Sequence, residues 1–197
     1  MALTGNVASG KSSVAEAWRE AGVPVLSADE LARTVVEPGS AGLAEIVRAF
    51  GPEALGNDGE LDRAAMRERV FQDPEARARL EGIIHPRIQE ERARWVEEER
   101  RRGSSLVVNE IPLLFEKGLE KEFDVVVLVD ASEKTRLGRM VERRGLDEEE
   151  ARRMMAAQTP SDRKRARADH VLPNEGTPEE LEGAALALLD RLQREAP

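Results

Sequence analysis

The fold is decided by one short stretch, Gly5-Asn6-Val7-Ala8-Ser9-Gly10-Lys11-Ser12. It fits the pattern of a phosphate-binding loop (P-loop): Gly, four residues, Gly, Lys, then Ser or Thr. Glycines let the backbone turn so that successive N–H groups point at phosphates, and the following helix adds the positive end of its dipole. Lys11 would reach the β- and γ-phosphates, and Ser12 would offer its hydroxyl to Mg²⁺. We therefore predict a nucleotide site over residues 5–13, from Gly5 to Ser13; the alternative is a glycine-rich turn with an incidental lysine.

Apolar runs alternate with longer helical patterns around this loop, which is typical of an α/β protein with a parallel sheet. A helix is predicted from Lys11 to about Ala21, before Gly22, and a closing helix begins at Thr177 and Pro178. Five strands are predicted, at Met1–Thr4, Val23–Leu26, Leu106–Val108, Val125–Val129 and His170–Leu172. The expected fold is therefore a three-layer P-loop kinase fold with a five-stranded parallel sheet.

Two helical stretches interrupt this alternation. Residues 30–102 are predicted to be entirely helical, and their length favours a separate insertion over helices that merely cover the sheet. Breaks in this stretch are predicted at Pro38, Gly39, Gly51, Pro52, Asp58, Gly59 and Pro86. Residues 134–167 are predicted to form a second, arginine-rich helical excursion. We predict a nucleotide-binding core (1–29, 103–134 and 159–197), a helical acceptor-binding insertion (30–102) and a helical lid (135–158).

Composition narrows the classes of function. The 197 residues suffice for one sizeable core with an appendage, and there is no cysteine for disulfides or thiol catalysis. The net charge of −9 argues against binding of nucleic acid or an anionic membrane. No apolar run is long enough to cross a bilayer, and the start leaves no room for a signal peptide, so a cytoplasmic protein is expected. The basic cluster from Arg136 to Arg167 suits a compact polyanion, although most of its members are expected to pair with Glu148, Glu149 and Glu150.

A P-loop is shared by several classes of nucleotide-binding protein. A GTPase would carry a guanine-reading Asn-Lys-x-Asp stretch, which is absent, and the chain is short for a mechanical ATPase. The insertion and the arginine-rich lid favour a small ATP-dependent kinase, in which a lid excludes water and neutralises charge. Two alternatives stay open: a kinase for a nucleoside monophosphate or another metabolite, and a switch protein that hydrolyses ATP slowly.

Several further motifs resemble those of one family, the dephospho-coenzyme A kinases, over nearly the whole chain. They are Leu3-Thr4-Gly5, Ala28-Asp29, Asp58-Gly59-x-Leu61-Asp62-Arg63, His85-Pro86, Pro112-Leu113-Leu114-Phe115-Glu116, Gln158, Ala168-Asp169 and Asn174. The resemblance implies ATP and Mg²⁺ as cofactors and transfer of a phosphoryl group to the ribose 3′-hydroxyl of dephospho-coenzyme A. It also implies small molecules as the only partners, and we expect a monomer or weak homo-oligomer.

The resemblance assigns roles to individual residues. Asp29 would accept the proton of the acceptor hydroxyl; its alternative role is the N-cap of a helix over 30–36. Lys11 and a lid arginine, Arg143, would act with it, since Arg139 and Arg143 share a helix face. Glu110 would reach the Mg²⁺ shell or the acceptor, or would simply face solvent. The other assigned residues are Arg139 and Asn174 for ATP, and Arg63, His85, Pro112 and Leu113 for the acceptor.

Three positions depart from the family pattern. Ser27 stands where the family usually has an aspartate, and Glu110 replaces another aspartate with a longer acid. A lid arginine often found four residues before the glutamine falls on Met154, with Arg153 beside it. Arg143 is therefore the stronger candidate for the catalytic lid arginine.

Overall fold

The computed structural model describes residues 1–195 and contains one five-stranded sheet. The strands are β1 (Ala2–Gly5), β2 (Val25–Ser27), β3 (Val108–Glu110), β4 (Val126–Asp130) and β5 (His170–Pro173). Their order is β2-β3-β1-β4-β5, and every adjacent pair is parallel. All five predicted strands are confirmed, but β2 and β3 begin two residues later than predicted. For β2 the reason is local: the Val23 N–H bonds back to Trp18 at the end of the preceding helix, and Pro24 has no N–H.

Nine helices accompany the sheet over the described residues, and the expected α/β kinase fold is confirmed. They are α1 (Lys11–Glu20), α2 (Ala28–Thr34), α3 (Ala41–Phe50), α4 (Arg63–Gln72), α5 (Pro74–Arg101), α6 (Glu133–Gly138), α7 (Glu148–Ala156), α8 (Ser161–Arg165) and α9 (Pro178–Glu195). A π-helical turn, Arg139–Arg143, continues α6. None of the helices described is both long and apolar enough to span a membrane.

The chain divides into two compact units. The first contains residues 1–27 and the chain from Glu99 onward, including the whole sheet. Its core is built on Trp18 of α1, which is fully buried and donates its indole N–H to the Ala185 carbonyl of α9 at 2.9 Å. Apolar residues of β1, β3 and β4 pack into the same cluster, so α1 and α9 are held on one face of the sheet.

The second unit, Ala28–Glu98, contains α2, α3, α4 and most of α5 around its own core. Phe50 is 3% exposed at the centre of this core, and Arg69 lies over its ring at 5.2 Å from the centroid. A small antiparallel bridge between Leu55 and Leu61 closes the loop before α4. The prediction that residues 30–102 are entirely helical is therefore wrong. The breaks at Gly51 and Gly59 are confirmed by positive φ angles of 92° and 78°.

The predicted break at Pro86 is wrong, because α5 runs through this proline without interruption. Proline removes one N–H bond from the helix interior and crowds the carbonyl four residues earlier. On both sides of Pro86, however, the helix contributes residues at helical spacing to the core of the second unit, including Leu80, Ile84 and Ile88. Burial of this continuous apolar stripe outweighs the local preference of proline.

The topology concentrates polar groups at one edge of the sheet. The chain passes from the central β1 to β2 on one side and later to β4 and β5 on the other. A crevice outside the carboxyl end of the sheet is expected at such a switch point. The P-loop follows β1 at this edge, and Glu110 and Asp130 end β3 and β4.

Candidate active site

Several backbone N–H groups of the P-loop have no acceptor among the described residues. Ala8 has a φ of 59°, the one positive φ among the described non-glycine residues, and Gly10 has a φ of 98°. Such left-handed residues within a turn make the backbone concave and direct its amides inward. Among residues 1–195, nothing accepts from the N–H groups of Ala8, Gly10, Lys11 or Ser12. The first turn of α1 also has no side-chain cap and no acidic residue, so the loop is suited to bind an anion.

Close packing requires both glycines of the motif. A Cβ on Gly5 would lie 2.7 Å from the carbonyl oxygen of Val129 and would also overlap the Ser9 side chain. A Cβ on Gly10 would overlap the Asn174 amide nitrogen, in addition to the strain of its positive φ. The glycines therefore permit the close approach of β4 and Asn174 as well as the turn itself.

Side chains from distant parts of the chain hold the loop in this shape. Gln158 Oε1 accepts from the Val7 N–H at 2.8 Å, and Ser161 Oγ accepts from Asn6 Nδ2 at 2.9 Å. On the opposite side, Asn174 Nδ2 donates to the Ser9 carbonyl at 2.8 Å. The loop is thus held on several sides by contacts within the protein.

Arg139 links the P-loop to the segment after β5. Its guanidinium donates to the Ala8 carbonyl at 3.3 Å and to Asn174 at both the backbone oxygen (3.1 Å) and Oδ1 (3.0 Å). Below it, Met140 and Met155 pack with the side chains of Val7 and Ala8. The start of the predicted lid therefore rests directly on the phosphate loop.

Lys11 is paired with the carboxylate at the end of β3. Its ammonium contacts Glu110 Oε1, and Arg19 Nη2 lies 3.6 Å from Glu110 Oε2. Both partners of the close pair are largely buried, with side-chain exposures of 13% for Lys11 and 9% for Glu110. Glu110 is therefore not a solvent-facing charge, and its carboxylate lies within the phosphate site. Ser12, in contrast, is exposed, and its hydroxyl has no partner among residues 1–195.

The expectation that most of the basic cluster pairs with Glu148, Glu149 and Glu150 is wrong. Among residues 1–195, only Arg152 and Arg153 pair with these acids, and other members reach acids of more distant segments. Arg152 pairs with Glu148 at 2.7 Å, and Arg165 pairs with Asp130 at 3.0 Å. Arg136 is 7% exposed; burial lowers its pKa, although Asp130 and Glu133 act in the opposite direction. Arg143 differs from these, because it is exposed and forms no ion pair or hydrogen bond with residues 1–195.

Arg139 and Arg143 lie at the two ends of the π-helical turn and are used differently. Arg139 is half-buried and donates hydrogen bonds to the backbone oxygens of Ala8 and Asn174. Arg143, in contrast, is exposed to solvent. Arg153, the other lid candidate, lies 3.8 Å from Glu149 one turn earlier. Both arginines are exposed, so the choice of Arg143 over Arg153 as the lid arginine stays a prediction.

Three predicted residues lie in the second unit, and all three are exposed. Asp29 lies in the first turn of α2, two residues after the end of β2, and is therefore inside the helix rather than its N-cap. Arg63 is the first residue of α4, and His85 lies within α5 and does not turn the chain between helices. Among the described residues, none of these three side chains has a hydrogen bond or ion pair.

The segment after β3 combines a core anchor with an exposed wall. Phe115 is 4% exposed, as expected for a core residue, and Arg167 lies over its ring at 4.9 Å from the centroid. Leu113 is 43% exposed, and Pro112 is half-buried. Glu116 Oε1 accepts from the Thr159 N–H at 2.8 Å and lies 2.8 Å from the ammonium of Lys164.

Sequence reasoning missed the supports of the loop. Gln158 was noted only as part of a family motif, and Ser161 and Lys164 received no role. Asn174 is predicted to bind ATP, and the structure has it buried against the P-loop. A contact between Asn174 and ATP stays a prediction. The sequence signal for these two residues is that Gln158 and Asn174 belong to motifs that resemble those of the family. Such motifs mark the residues as candidates for a role but do not show that their side chains bond to the P-loop.

Comparison with known proteins gives concordant matches. Residues 1–180 match the family model described as dephospho-CoA kinase. A dephospho-CoA kinase of Anaeromyxobacter dehalogenans is 48% identical over 195 residues, covering 97% of this chain and 90% of that protein. One from Syntrophotalea carbinolica is 45% identical over 192 residues, covering 98% and 91%. The crystal structure of TT1252 from Thermus thermophilus has a TM-score of 0.80 at 42% identity, covering 97% of this chain and 96% of that one. These matches extend far beyond the P-loop.

Proposed function

The chain belongs to the dephospho-CoA kinase family, and we propose that it phosphorylates the ribose 3′-hydroxyl of dephospho-coenzyme A with ATP. The products are ADP and coenzyme A. The observation that carries this proposal is the preformed loop of unpaired N–H groups, with Lys11 at its end, in a chain that matches the family over residues 1–180. ATP provides the phosphates that this loop is built to bind.

Lys11 changes partner in the proposed complex. Lys11 pairs with Glu110 in the structure, and the β- and γ-phosphates of ATP would compete for its ammonium. When Lys11 turns to the phosphates, Glu110 keeps Arg19 as its nearest cation. The buried carboxylate is then not left without a positive partner, which lowers the free-energy cost of separating it from Lys11. The loop amides and the dipole of α1 bind the remaining phosphate charge.

Mg²⁺ fits the chemistry of the residues present. Ser12 offers an exposed hydroxyl without a partner, and Glu110 ends β3 in the same site. No group of three or more acidic or histidine side chains that could hold a metal exists among the described residues. Mg²⁺ usually takes few protein ligands together with substrate phosphates and water, so Ser12, with Glu110 acting through water, would suffice. When bound, the ion supplies positive charge beside the phosphate oxygens.

Asp29 is the proposed base. Its carboxylate is exposed and unpaired among residues 1–195, so it is free to accept a hydrogen bond from the acceptor hydroxyl and then its proton. Arg63, His85, Pro112 and Leu113 are proposed to contact the acceptor. Arg143 is proposed to reach the transferring phosphoryl group, where an arginine neutralises developing charge.

The division into core (1–29, 103–134, 159–197), acceptor-binding insertion (30–102) and lid (135–158) belongs to this proposal. Its support is the separate hydrophobic core of the second unit and the exposed Arg143 of the predicted lid, which has no partner among residues 1–195. The cytoplasm as compartment, the monomer or weak homo-oligomer, and the lack of nucleic-acid or membrane partners stay predictions of the sequence.

An acceptor screen tests the proposed function. The protein is incubated with Mg-ATP and dephospho-coenzyme A, and coenzyme A is detected by a mass increase of one phosphoryl group. Parallel reactions contain AMP, CMP, UMP or no acceptor. We expect rapid ATP consumption only with dephospho-coenzyme A. Faster turnover with a nucleoside monophosphate would identify the alternative kinase, and equal ATP hydrolysis in every reaction would identify a switch protein.

A further inference from the structure

Glu116 occupies an unusual position between three segments of the first unit. Its Oε1 accepts from the Thr159 N–H at 2.8 Å and lies 2.8 Å from Nζ of Lys164. The Lys164 side chain is 0% exposed and that of Glu116 is 17% exposed. Two charges removed from water in this way hold each other in place strongly, because separating them leaves an uncompensated buried charge. The carboxylate is therefore a fixed acceptor for Thr159.

Thr159 belongs to residues 158–161, which follow α7 and end at the first residue of α8; we call them the support turn. Apart from bonds to its flanking helices, it is hydrogen-bonded to the rest of residues 1–195 at three points. Two reach the P-loop: Gln158 binds the Val7 N–H, and Ser161 binds the Asn6 side chain. The third is the bond from Thr159 to Glu116.

We propose that Glu116 is a positioning residue for nucleotide binding, because it anchors the support turn that shapes the P-loop. The proposal rests on the proposed function only for the statement that the loop binds a nucleotide. Glu110, the last residue of β3, contacts Lys11, and Glu116 in the segment that follows β3 holds the support turn. Burial raises the pKa of Glu116, but Lys164 and the Thr159 N–H together bring it below its ordinary value, which keeps the carboxylate ionised.

Two double variants separate the hydrogen-bond acceptor from the charge. Glu116→Gln with Lys164→Met removes both charges and keeps an oxygen for the Thr159 N–H. Glu116→Leu with Lys164→Met removes the acceptor as well. Calorimetry with Mg-ADP should give wild-type affinity within about twofold for the first pair. For the second pair it should give about tenfold weaker binding, the equivalent of one lost hydrogen bond.

Matched controls come from Glu120, whose side chain is also 17% exposed and which pairs with Arg167 without touching the support turn. Glu120→Gln and Glu120→Asp should leave ADP affinity unchanged. If the leucine double variant does not fold, Glu116→Asp decides: its shorter carboxylate cannot hold Lys164 and reach Thr159 together, so ADP affinity should fall at least threefold more than in Glu120→Asp.

The outcomes are distinct. The proposal is supported if the Glu116→Gln double variant binds ADP with nearly wild-type affinity and the Glu116→Leu double variant binds it more weakly. Equal affinity in both double variants, whether weakened or not, would overturn it, as would equal effects of the two aspartate variants. ADP binding requires no acceptor, so an incorrect assignment of dephospho-coenzyme A would leave this result intact and would show only in the acceptor screen.

Discussion

Gly10 offers the sharpest test of the structure of the P-loop. The Gly10→Ala substitution places a Cβ at a residue with a φ of 98°, where it overlaps the Asn174 amide nitrogen. A non-glycine residue in the left-handed region costs about 1–2 kcal/mol. Displacing Asn174 also removes its 2.8 Å bond to the Ser9 carbonyl, which costs about 1–3 kcal/mol for a buried acceptor left without a partner. The expected destabilisation is therefore about 2–5 kcal/mol.

Gly22 provides the matched control. Its φ is 82°, and a Cβ there meets nothing within 4 Å, so Gly22→Ala carries the backbone strain alone. Thermal unfolding should separate the two variants by about 1–3 kcal/mol. In a chain of this size each kcal/mol corresponds to ~2–4 °C in melting temperature. Mg-ADP affinity should fall for Gly10→Ala and stay unchanged for Gly22→Ala.

A double variant identifies the cause of the difference. If the overlap with Asn174 is responsible, Gly10→Ala combined with Asn174→Ala should be less destabilised than the sum of the single variants by about 1 kcal/mol. Equal melting temperatures for Gly10→Ala and Gly22→Ala would refute the reasoning, since Asn174 would then not pack against the loop.

Three further predictions concern catalysis and pH. Asp29→Asn should abolish coenzyme A formation while melting temperature and ADP affinity stay at wild-type values; near-normal turnover would remove Asp29 from the mechanism. Arg143→Ala should lower kcat by on the order of 10³ with little change in ADP affinity. Arg153→Ala should have only a small effect on kcat; a larger loss of kcat in Arg153→Ala than in Arg143→Ala would make Arg153 the catalytic lid arginine. Because the folded-state pKa of Glu116 is lowered, its stabilising contribution is complete above the unfolded-state value of about 4.3 and is lost as the pH falls through the folded-state pKa. Glu116→Gln should therefore show a shallower decline of melting temperature on acidification below about pH 4.5, and identical slopes would contradict the lowered pKa.

The strands and the P-loop could be predicted because their signals are local. Each strand is a short apolar run, and the P-loop combines glycines with a lysine and serine at fixed spacing. Pro86 shows where local reasoning fails: proline predicts a break, but the apolar stripe of α5 packs continuously into the second unit. The onset of β2 was missed for a related reason, because strand pairing begins only after the end of α1 has used the Val23 N–H.

The residue types alone were enough to establish a nucleotide-binding loop, a parallel sheet and a family resemblance, because each depends on neighbours close in sequence. The partners of those residues depended on the tertiary structure. Gln158 meets Val7 across 151 positions, and Asn174 meets Ser9 across 165. No periodicity or spacing encodes such contacts, since they form only when the strands pair and the helices pack. The sequence therefore predicted which atoms would bind phosphate, and the fold decided what holds them in place.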